Sequence, residues 1–140
     1  MCGIFGILDI KSDVAELRTQ ALELSKLLRH RGPDWSGIWN NDNAILCHER
    51  LAIVDVDTGA QPLISSNGNQ ALAVNGEIYN HKALADEFAA DYDFATKSDC
   101  EVIIPLYLDY LNSFIKYKND KKKTNDIASD MLDNLDGMFS

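Results

Sequence analysis

The chemistry that this sequence offers begins at its second residue, Cys2. If Met1 is removed, a thiol and an α-amine belong to the same residue. The reference pKa of an α-amine is about 7.7–8.0 and that of a thiol about 8.5. Part of the amine is therefore unprotonated at neutral pH and can act as a base for the thiol. This pattern makes Cys2 a candidate N-terminal nucleophile, and the alternative is a small residue that merely follows the initiator Met.

A second candidate is the pair Asn75-Gly76, which lies between two strand-like runs. Asn-Gly is the strongest short signal for a β-hairpin turn, so a purely structural role is one interpretation. The functional alternative is an oxyanion site. An Asn side-chain amide and a Gly backbone N–H can converge on one developing negative charge.

Two charged residues have the types that bind the ends of an amino acid. Arg50 lies between apolar stretches and can hold a carboxylate through two parallel hydrogen bonds. Asp99 stands at a predicted helix start and can bind an ammonium group, although capping and the helix dipole alone also favour a carboxylate there. For Arg50 the alternative is an ion pair with Glu49 or Asp55.

Composition excludes several other classes of protein. The net charge of −9, from 22 acidic and 13 basic residues, argues against nucleic-acid and anionic-membrane partners. The three histidines lack metal-like spacing, so no metal site is predicted. No apolar run is long enough to span a membrane, and no secretory signal precedes the first one. Three cysteines without a CxxC spacing indicate a reducing, cytoplasmic environment.

The elements that must position these residues are short strands and capped helices. The 140 residues suit one domain. Asp13 followed by Glu16 resembles a capping box that opens a helix, and Ser98 with Glu101 forms a second one. Because strands and helices do not alternate strictly, the pattern predicts an α+β fold. Predicted strands cover residues 3–10, 37–40, 44–48, 51–56 and 71–74, and 81–90 is helical in composition.

The last third of the sequence is less regular. Pro105 lies inside the helix opened by Ser98, so it should kink that helix or shift its start. Residues 112–126 are rich in Asn, Lys and Asp and are interpreted as an inserted surface loop. Its lysines form the one basic cluster, for which a docking patch is the alternative. A short helix is predicted over 127–135, and a strand begins at Met138.

Five motifs taken together resemble the class II glutamine amidotransferases. They are residues 2–6 (CGIFG), 29–34 (RHRGPD), 48–55 (HERLAIVD), 75–80 (NGEIYN) and 98–101 (SDCE). Within that group, RGPD, GAQPL at 59–63 and the segment 75–81 are most similar to the glutamine-dependent asparagine synthetases. The similarity runs from residue 2 to about 110 and resumes at 135–139. One such motif is weak support, but five in the family's order are strong.

The resemblance implies an N-terminal-nucleophile (Ntn) hydrolase-like fold, a four-layer αββα sandwich that is C-terminally truncated here. It implies that Cys2 attacks the glutamine side-chain amide, with its amine as base and then acid, while Asn75 and Gly76 hold the oxyanion. Arg50 then takes the substrate α-carboxylate, and Asp99 takes the α-ammonium. The other implied pocket residues, acting partly through backbone groups, are Leu51, Ala52, Ile53, Val54 and Glu77.

The resemblance also implies the substrate and the partners. L-glutamine is hydrolysed to supply ammonia for asparagine synthesis, and this glutaminase half needs no cofactor. ATP and Mg²⁺ are expected only in a synthetase domain of the parent protein, which is the expected partner; a homodimer is a further expected assembly. The family's glutaminase domain continues beyond a segment like 135–139. Residues 1–140 are therefore expected to be an incomplete glutaminase domain that does not make asparagine alone.

Two alternatives remain open at this point. The glutamine site would look alike in the glutaminase half of another class II amidotransferase, such as one that makes purine precursors or amino sugars. A catalytically silent glutamine-binding or interaction fragment belongs to a different class of function. A retained Met1 would acylate the Cys2 amine and remove the proposed base.

Overall fold

Short strands and helices succeed one another in a computed structural model that describes residues 1–53, 55, 57–117 and 129–139. The fold is α+β, as the sequence predicts. The strands are β1 (Gly3–Leu8), β2 (Trp35–Asn40), β3 (Ala44–Arg50), β4 (Leu63–Ile64), β5 (Ala71–Leu72), β6 (Gly76–Ile78) and β7 (Gly137–Phe139). The helices are α1 (Val14–Lys26), α2 (His81–Phe88), a 3₁₀-helix (Asp99–Val102) and α3 (Ile103–Tyr117), and residues 129–133 are also helical.

The first sheet is antiparallel, with β3 between β1 and β2. One face of β3 packs on α1, where Ile45 and Cys47 form a buried cluster with Ala21. Glu49 continues this face and accepts a hydrogen bond of 2.7 Å from the hydroxyl of Ser25 on α1. Because side chains alternate along a strand, the opposite face of β3 carries His48 and Arg50 toward the rest of the molecule.

The start of α1 confirms Asp13 as the cap but not the full capping box, because the described hydrogen bond of the Glu16 carboxylate comes from Gln20 Nε2. The Asp13 carboxylate accepts hydrogen bonds from the backbone N–H groups of Ala15 and Glu16, at 2.7 and 3.1 Å. These bonds satisfy donors that have no partner within the first turn. The helix then places Ala21 and Ser25 against the sheet, with 0% and 2% of their surfaces exposed.

A second core forms where β4, β6, α2 and the 3₁₀-helix meet. Its buried members are Leu63, Val74, Ile78, Leu84, Cys100, Val102, Ile103 and Ile104. Two small sheets border this core, β4 with β5 and β6 with β7, both antiparallel. Together these elements bring residues 74–78 and 98–102 beside the C-terminal end of β3.

The predicted strand over residues 51–56 is wrong at 51–53, which have no regular secondary structure. Side chains take the backbone donors that a strand would need. The N–H of Leu51 donates to Cys2 Sγ at 3.3 Å, and that of Ala52 donates to Asp34 Oδ2 at 2.9 Å. Asp55 then adopts a left-handed φ of 49°, which does not continue a strand.

The hairpin interpretation of Asn75-Gly76 is also wrong. The strand predicted at 71–74 ends at Leu72 and pairs with β4, whereas Gly76 opens β6 and pairs with Phe139 on β7. The strands on either side of Asn75 therefore belong to different sheets. This outcome leaves the pair available for chemistry rather than for a tight turn.

Three predictions in the C-terminal part need correction or refinement. Ser98 caps the 3₁₀-helix, but the Glu101 carboxylate accepts from Ala95 and Thr96 instead of completing a capping box. Pro105 falls in the first turn of α3, so it shifts the start of the α-helix as predicted.

α3 continues to Tyr117, so residues 112–117 of the predicted 112–126 loop are helical. The large apolar side chains of this last part, Phe114 and Ile115, are exposed, and residues 118–128, with most of the basic cluster, lie outside the described part.

None of the helices in the described part of the chain is long and apolar enough to cross a membrane.

Gly37 marks the closest approach between β2 and the segment before β4. A Cβ at this position would overlap the backbone carbonyl oxygen of Gln61. We expect Gly37→Ala to lower the free energy of unfolding by about 3 kcal/mol, the upper end of overpacking costs. Gly6→Ala in the same sheet is the matched control, because its Cβ would lie 3.4 Å from Leu46 Cδ2. Urea unfolding of both variants measures the difference, and equal midpoints would contradict the packing described here.

Candidate active site

Segments from six parts of the chain surround one open cavity of about 390 Å³. They are the N-terminus, the end of β3 with the residues after it, the 59–61 segment, the stretch from Val74 into β6, the 3₁₀-helix with its cap, and β7. The lining residues are Met1, Cys2, Arg50, Leu51, Ile53, Gly59, Gln61, Val74, Asn75, Gly76, Glu77, Ser98, Asp99, Cys100, Met138 and Phe139. The volume suits a small molecule of amino-acid size.

The Cys2 thiol is held against the backbone of Leu51. The N–H of Leu51 donates to Cys2 Sγ at 3.3 Å, and the thiol lies 3.7 Å from the carbonyl oxygen of Leu51. Arg31 from the RGPD motif donates through Nε to the Cys2 carbonyl at 3.0 Å. The backbone of Cys2 is thus fixed while its sulfur faces the cavity.

The Asn75 side chain, the candidate oxyanion donor, contacts the candidate nucleophile. Its Oδ1 accepts a hydrogen bond of 2.8 Å from the Cys2 nitrogen, although 73 positions separate the two residues. This contact directs the amide nitrogen, Nδ2, away from Cys2 N. In the chain with Met1 in place, Nδ2 lies 4.0 Å from the Met1 sulfur. The Asn75 side chain is therefore beside Cys2, and its donor nitrogen is within reach of Met1.

Arg50 is the cationic side chain of the cavity and is only 6% exposed. Its Nη2 donates to the carbonyl of Asp55 at 2.6 Å, which orients the guanidinium. Asp55 is itself fixed by hydrogen bonds from Thr58 and Lys97. Burial raises the pKa of Asp55, but those hydrogen bonds and the Arg50 charge outweigh it and lower the pKa. A network of backbone and carboxylate groups thus holds Arg50 in place.

Asp99 is one of two acidic residues in the described lining, together with Glu77. It is 5% exposed, and its Oδ2 accepts from the N–H of Ile78 at 2.7 Å. The neighbouring Cys100 thiol contacts Asp99 Oδ2 at 3.8 Å and the Gly76 carbonyl at 3.6 Å. Burial, together with the charges of Asp99 and Cys2, raises the pKa of Cys100 to about 12. Cys100 is therefore a neutral thiol.

The structure gathers most of the residues that the sequence analysis selected. Those that line the cavity are Cys2, Arg50, Leu51, Ile53, Asn75, Gly76, Glu77 and Asp99. Ala52 is not among the described lining residues. Its backbone N–H donates to the Asp34 carboxylate instead. Leu51 contributes through its backbone, which contacts Cys2, the candidate nucleophile. Val54 lies outside the described residues.

Sequence reasoning missed several lining residues. Gln61 stands in the GAQPL segment, which was noted as a motif without a role, and Cys100 stands inside the SDCE motif. In both cases the motif was the available signal. Met138 and Phe139 approach Gly76 only through the β6–β7 pairing. That pairing joins residues some 60 positions apart. No local sequence pattern predicts that these two strands are neighbours.

Comparison with known proteins gives a consistent result. Residues 1–119 match the family described as "Glutamine amidotransferase domain". Over all 140 residues the chain is 54% identical to asparagine synthetase B (glutamine-hydrolyzing) of Escherichia coli strain K12 and covers 22% of that protein. It is 56% identical, again over 140 residues, to asparagine synthetase (glutamine-hydrolyzing) 1 of Saccharomyces cerevisiae and covers 21% of it. The chain thus spans about a fifth of the length of these curated relatives.

Proposed function

The chain belongs to the glutamine amidotransferase domain family, and from this premise we propose that it hydrolyses the side-chain amide of L-glutamine and supplies ammonia for asparagine synthesis. The hydrogen bond of 2.8 Å between the Cys2 nitrogen and Asn75 Oδ1 carries the proposal, because it joins the residue proposed as nucleophile to the residue proposed as oxyanion donor. Arg50 and Asp99 lie in the same cavity with opposite charges.

Recognition of glutamine follows from those charges. The Arg50 guanidinium binds the α-carboxylate, and the Asp99 carboxylate binds the α-ammonium group. Burial strengthens both interactions relative to those in water. A plain amide lacks both charged groups, so the site selects an amino acid whose side chain reaches Cys2.

The first half of the reaction forms a thioester. The α-amine of Cys2 takes the thiol proton, and Sγ attacks the amide carbon of glutamine. The carbonyl electron pair moves to oxygen, where Asn75 Nδ2 and the Gly76 N–H stabilise the resulting oxyanion. When the oxyanion collapses, the carbon–nitrogen bond breaks, and the ammonium of Cys2 returns its proton to the leaving ammonia.

The second half regenerates the thiol. A water molecule enters the cavity and loses a proton to the Cys2 amine as it attacks the thioester carbon. The same donors stabilise the second oxyanion. Its collapse breaks the carbon–sulfur bond and releases glutamate, while the proton on the amine returns to sulfur. One water is consumed, and one ammonia and one glutamate are formed.

Removal of Met1 is part of this proposal. With Met1 attached, the Cys2 nitrogen is a peptide N–H, which cannot act as a base. Met1 also lines the cavity, with its sulfur beside Asn75 Nδ2. Cleavage of the Met1–Cys2 bond would create the free α-amine of Cys2. It would also remove the Met1 side chain from beside the Asn75 Nδ2 donor.

The proposal extends to the rest of the fold and to the partners. We propose that the β1–β3–β2 sheet is one of the two sheets of an Ntn-type αββα sandwich. Helix α1, which packs on this sheet, would then belong to one outer helical layer. The glutaminase reaction as written uses only groups of this chain, and ATP with Mg²⁺ is assigned to a synthetase domain of the parent protein. That domain would receive the ammonia.

Ammonia release from glutamine tests the proposed function. Two samples of the same chain are compared, one processed to begin at Cys2 and one retaining Met1, with intact mass confirming each. We expect glutamate and ammonia in equal amounts from the processed sample only. A folded, processed sample without turnover would overturn the proposal, and glutamine binding by calorimetry in that sample would indicate a silent binding module.

Asp99→Asn tests the assigned ammonium contact. The variant keeps the shape of the side chain but loses its charge, and hydrogen bonds to charged groups are worth about 1.5–3 kcal/mol. We expect the KM for glutamine to rise about 10- to 100-fold, with a smaller change in kcat. Glu101→Gln on the same 3₁₀-helix is the control, because Glu101 binds Ala95 and Thr96 and does not reach the cavity lining among the described residues. An unchanged KM in Asp99→Asn would contradict the assignment.

A further inference from the structure

Val74, the residue before Asn75, has both of its backbone polar groups held by side chains. Its N–H donates to Gln61 Oε1 at 2.7 Å, and its carbonyl oxygen lies 3.1 Å from His48 Nε2. All three residues are buried, with 5%, 8% and 0% of their surfaces exposed for Val74, Gln61 and His48. Since β5 ends at Leu72 and β6 begins at Gly76, Val74 lies between strands. Two side chains thus provide the bonds that a strand neighbour would otherwise supply.

The protonation of His48 follows from its partner. A carbonyl oxygen only accepts, so Nε2 must carry the proton and donate to Val74. Burial lowers the pKa of His48, so the ring is neutral near pH 7. The other ring nitrogen, Nδ1, is then an acceptor, and it has no hydrogen-bond partner among the described residues.

This orphaned atom indicates that stability alone does not account for the histidine. A buried polar atom without a partner costs about 1–3 kcal/mol, and an apolar side chain of similar volume would avoid that cost. The single hydrogen bond that His48 does make is directed at the residue adjoining Asn75. The ring therefore has a geometric consequence at the site that an apolar side chain could not reproduce.

We propose that His48 and Gln61 are positioning residues, which fix Val74 from opposite sides and so aim the Asn75 amide and the Gly76 N–H at the oxyanion. The inference rests on the proposed glutaminase reaction. Oxyanion donors act at about 2.7–3.1 Å, and a displacement of about 1 Å can cost 10²-fold in rate. His48 is not among the described lining residues, and neither residue is assigned to a charged end of glutamine, so the effect should fall on kcat.

A pair of substitutions at His48 separates positioning from packing. His48→Leu removes the donor to Val74, whereas His48→Gln places an amide nitrogen the same number of bonds from Cβ as Nε2. We expect kcat for glutamine hydrolysis to fall about 10- to 100-fold in His48→Leu, below the loss of about 10²–10³ for a deleted oxyanion donor. His48→Gln should recover most of the rate. In a Cys2→Ala background, calorimetry should give the same Kd for glutamine with His48 and with Leu within about threefold.

Further variants cover the case in which His48→Leu does not fold. Gln61→Met removes the acceptor for the Val74 N–H, and Gln61→Glu retains it, so the same kcat difference is expected between those two. The inference is overturned if folded His48→Leu or Gln61→Met turns over at the unsubstituted rate. It is also overturned if the donor-retaining or acceptor-retaining variant is no better than its apolar counterpart. Inactivity of the unsubstituted, processed chain would instead overturn the proposed function, and the inference with it.

Discussion

Replacing Cys2 with alanine is expected to abolish glutamine hydrolysis and to leave glutamine binding intact. In the proposed reaction Cys2 Sγ forms the thioester, and loss of a nucleophile from a cooperating catalytic group costs on the order of 10⁴- to 10⁶-fold in kcat. Binding should persist because Arg50 and Asp99 are unchanged. Ammonia release gives the rate, and calorimetry of the variant gives the Kd for glutamine.

Cys47→Ala is the matched control for this experiment. Cys47 lies on the face of β3 that packs on α1, is fully buried and contacts neither Cys2 nor the cavity among the described lining residues. Burial raises the pKa of its thiol, so it is a poor nucleophile. The nucleophile assignment would be contradicted if a folded Cys2→Ala sample retained turnover.

The second largest loss of glutaminase activity is expected from substitutions at Asn75. Asn75→Ala removes the side-chain oxyanion donor, so kcat should fall about 10²–10³-fold with little change in the KM for glutamine. Asn75→Asp retains an oxygen that can accept from the Cys2 nitrogen but lacks the Nδ2 donor. It should therefore be impaired to a similar or greater extent, because a negative charge would then face the oxyanion.

Steady-state kinetics of both variants are compared with Asn40→Ala. Asn40 lies at the far end of β2, where its Oδ1 accepts from Arg18 at 3.0 Å on the protein surface. That variant should keep the kcat of the unsubstituted chain. If Asn75→Ala lost affinity for glutamine while keeping kcat, Asn75 would be a binding residue and the oxyanion assignment would be wrong.

Local signals in the sequence predicted much of the fold. The Asp13 cap and the strands at β2 and β3 follow from side-chain chemistry within a few residues, and the structure confirms them. The prediction failed where distant groups decide the backbone. Leu51 and Ala52 resemble a strand, but Cys2 Sγ and Asp34 take their N–H groups.

The candidate site was predictable only in part. Cys2, Asn75, Arg50 and Asp99 stand in recognisable motifs, and they line one cavity. The pairing of His48 with Val74 spans 26 positions and carries no sequence pattern of its own. Side chains that act by holding a backbone segment are visible only when the two segments are seen together.

The most direct test of the central claim is intact mass before and after treatment with an electrophilic glutamine analogue. The processed chain that begins at Cys2 is compared with its Cys2→Ala variant. We expect the processed chain to gain one adduct and the variant to gain none, which would show a formed glutamine site with a reactive Cys2. A folded, processed chain that gains no adduct, or that carries it on Cys47 or Cys100, would contradict the account.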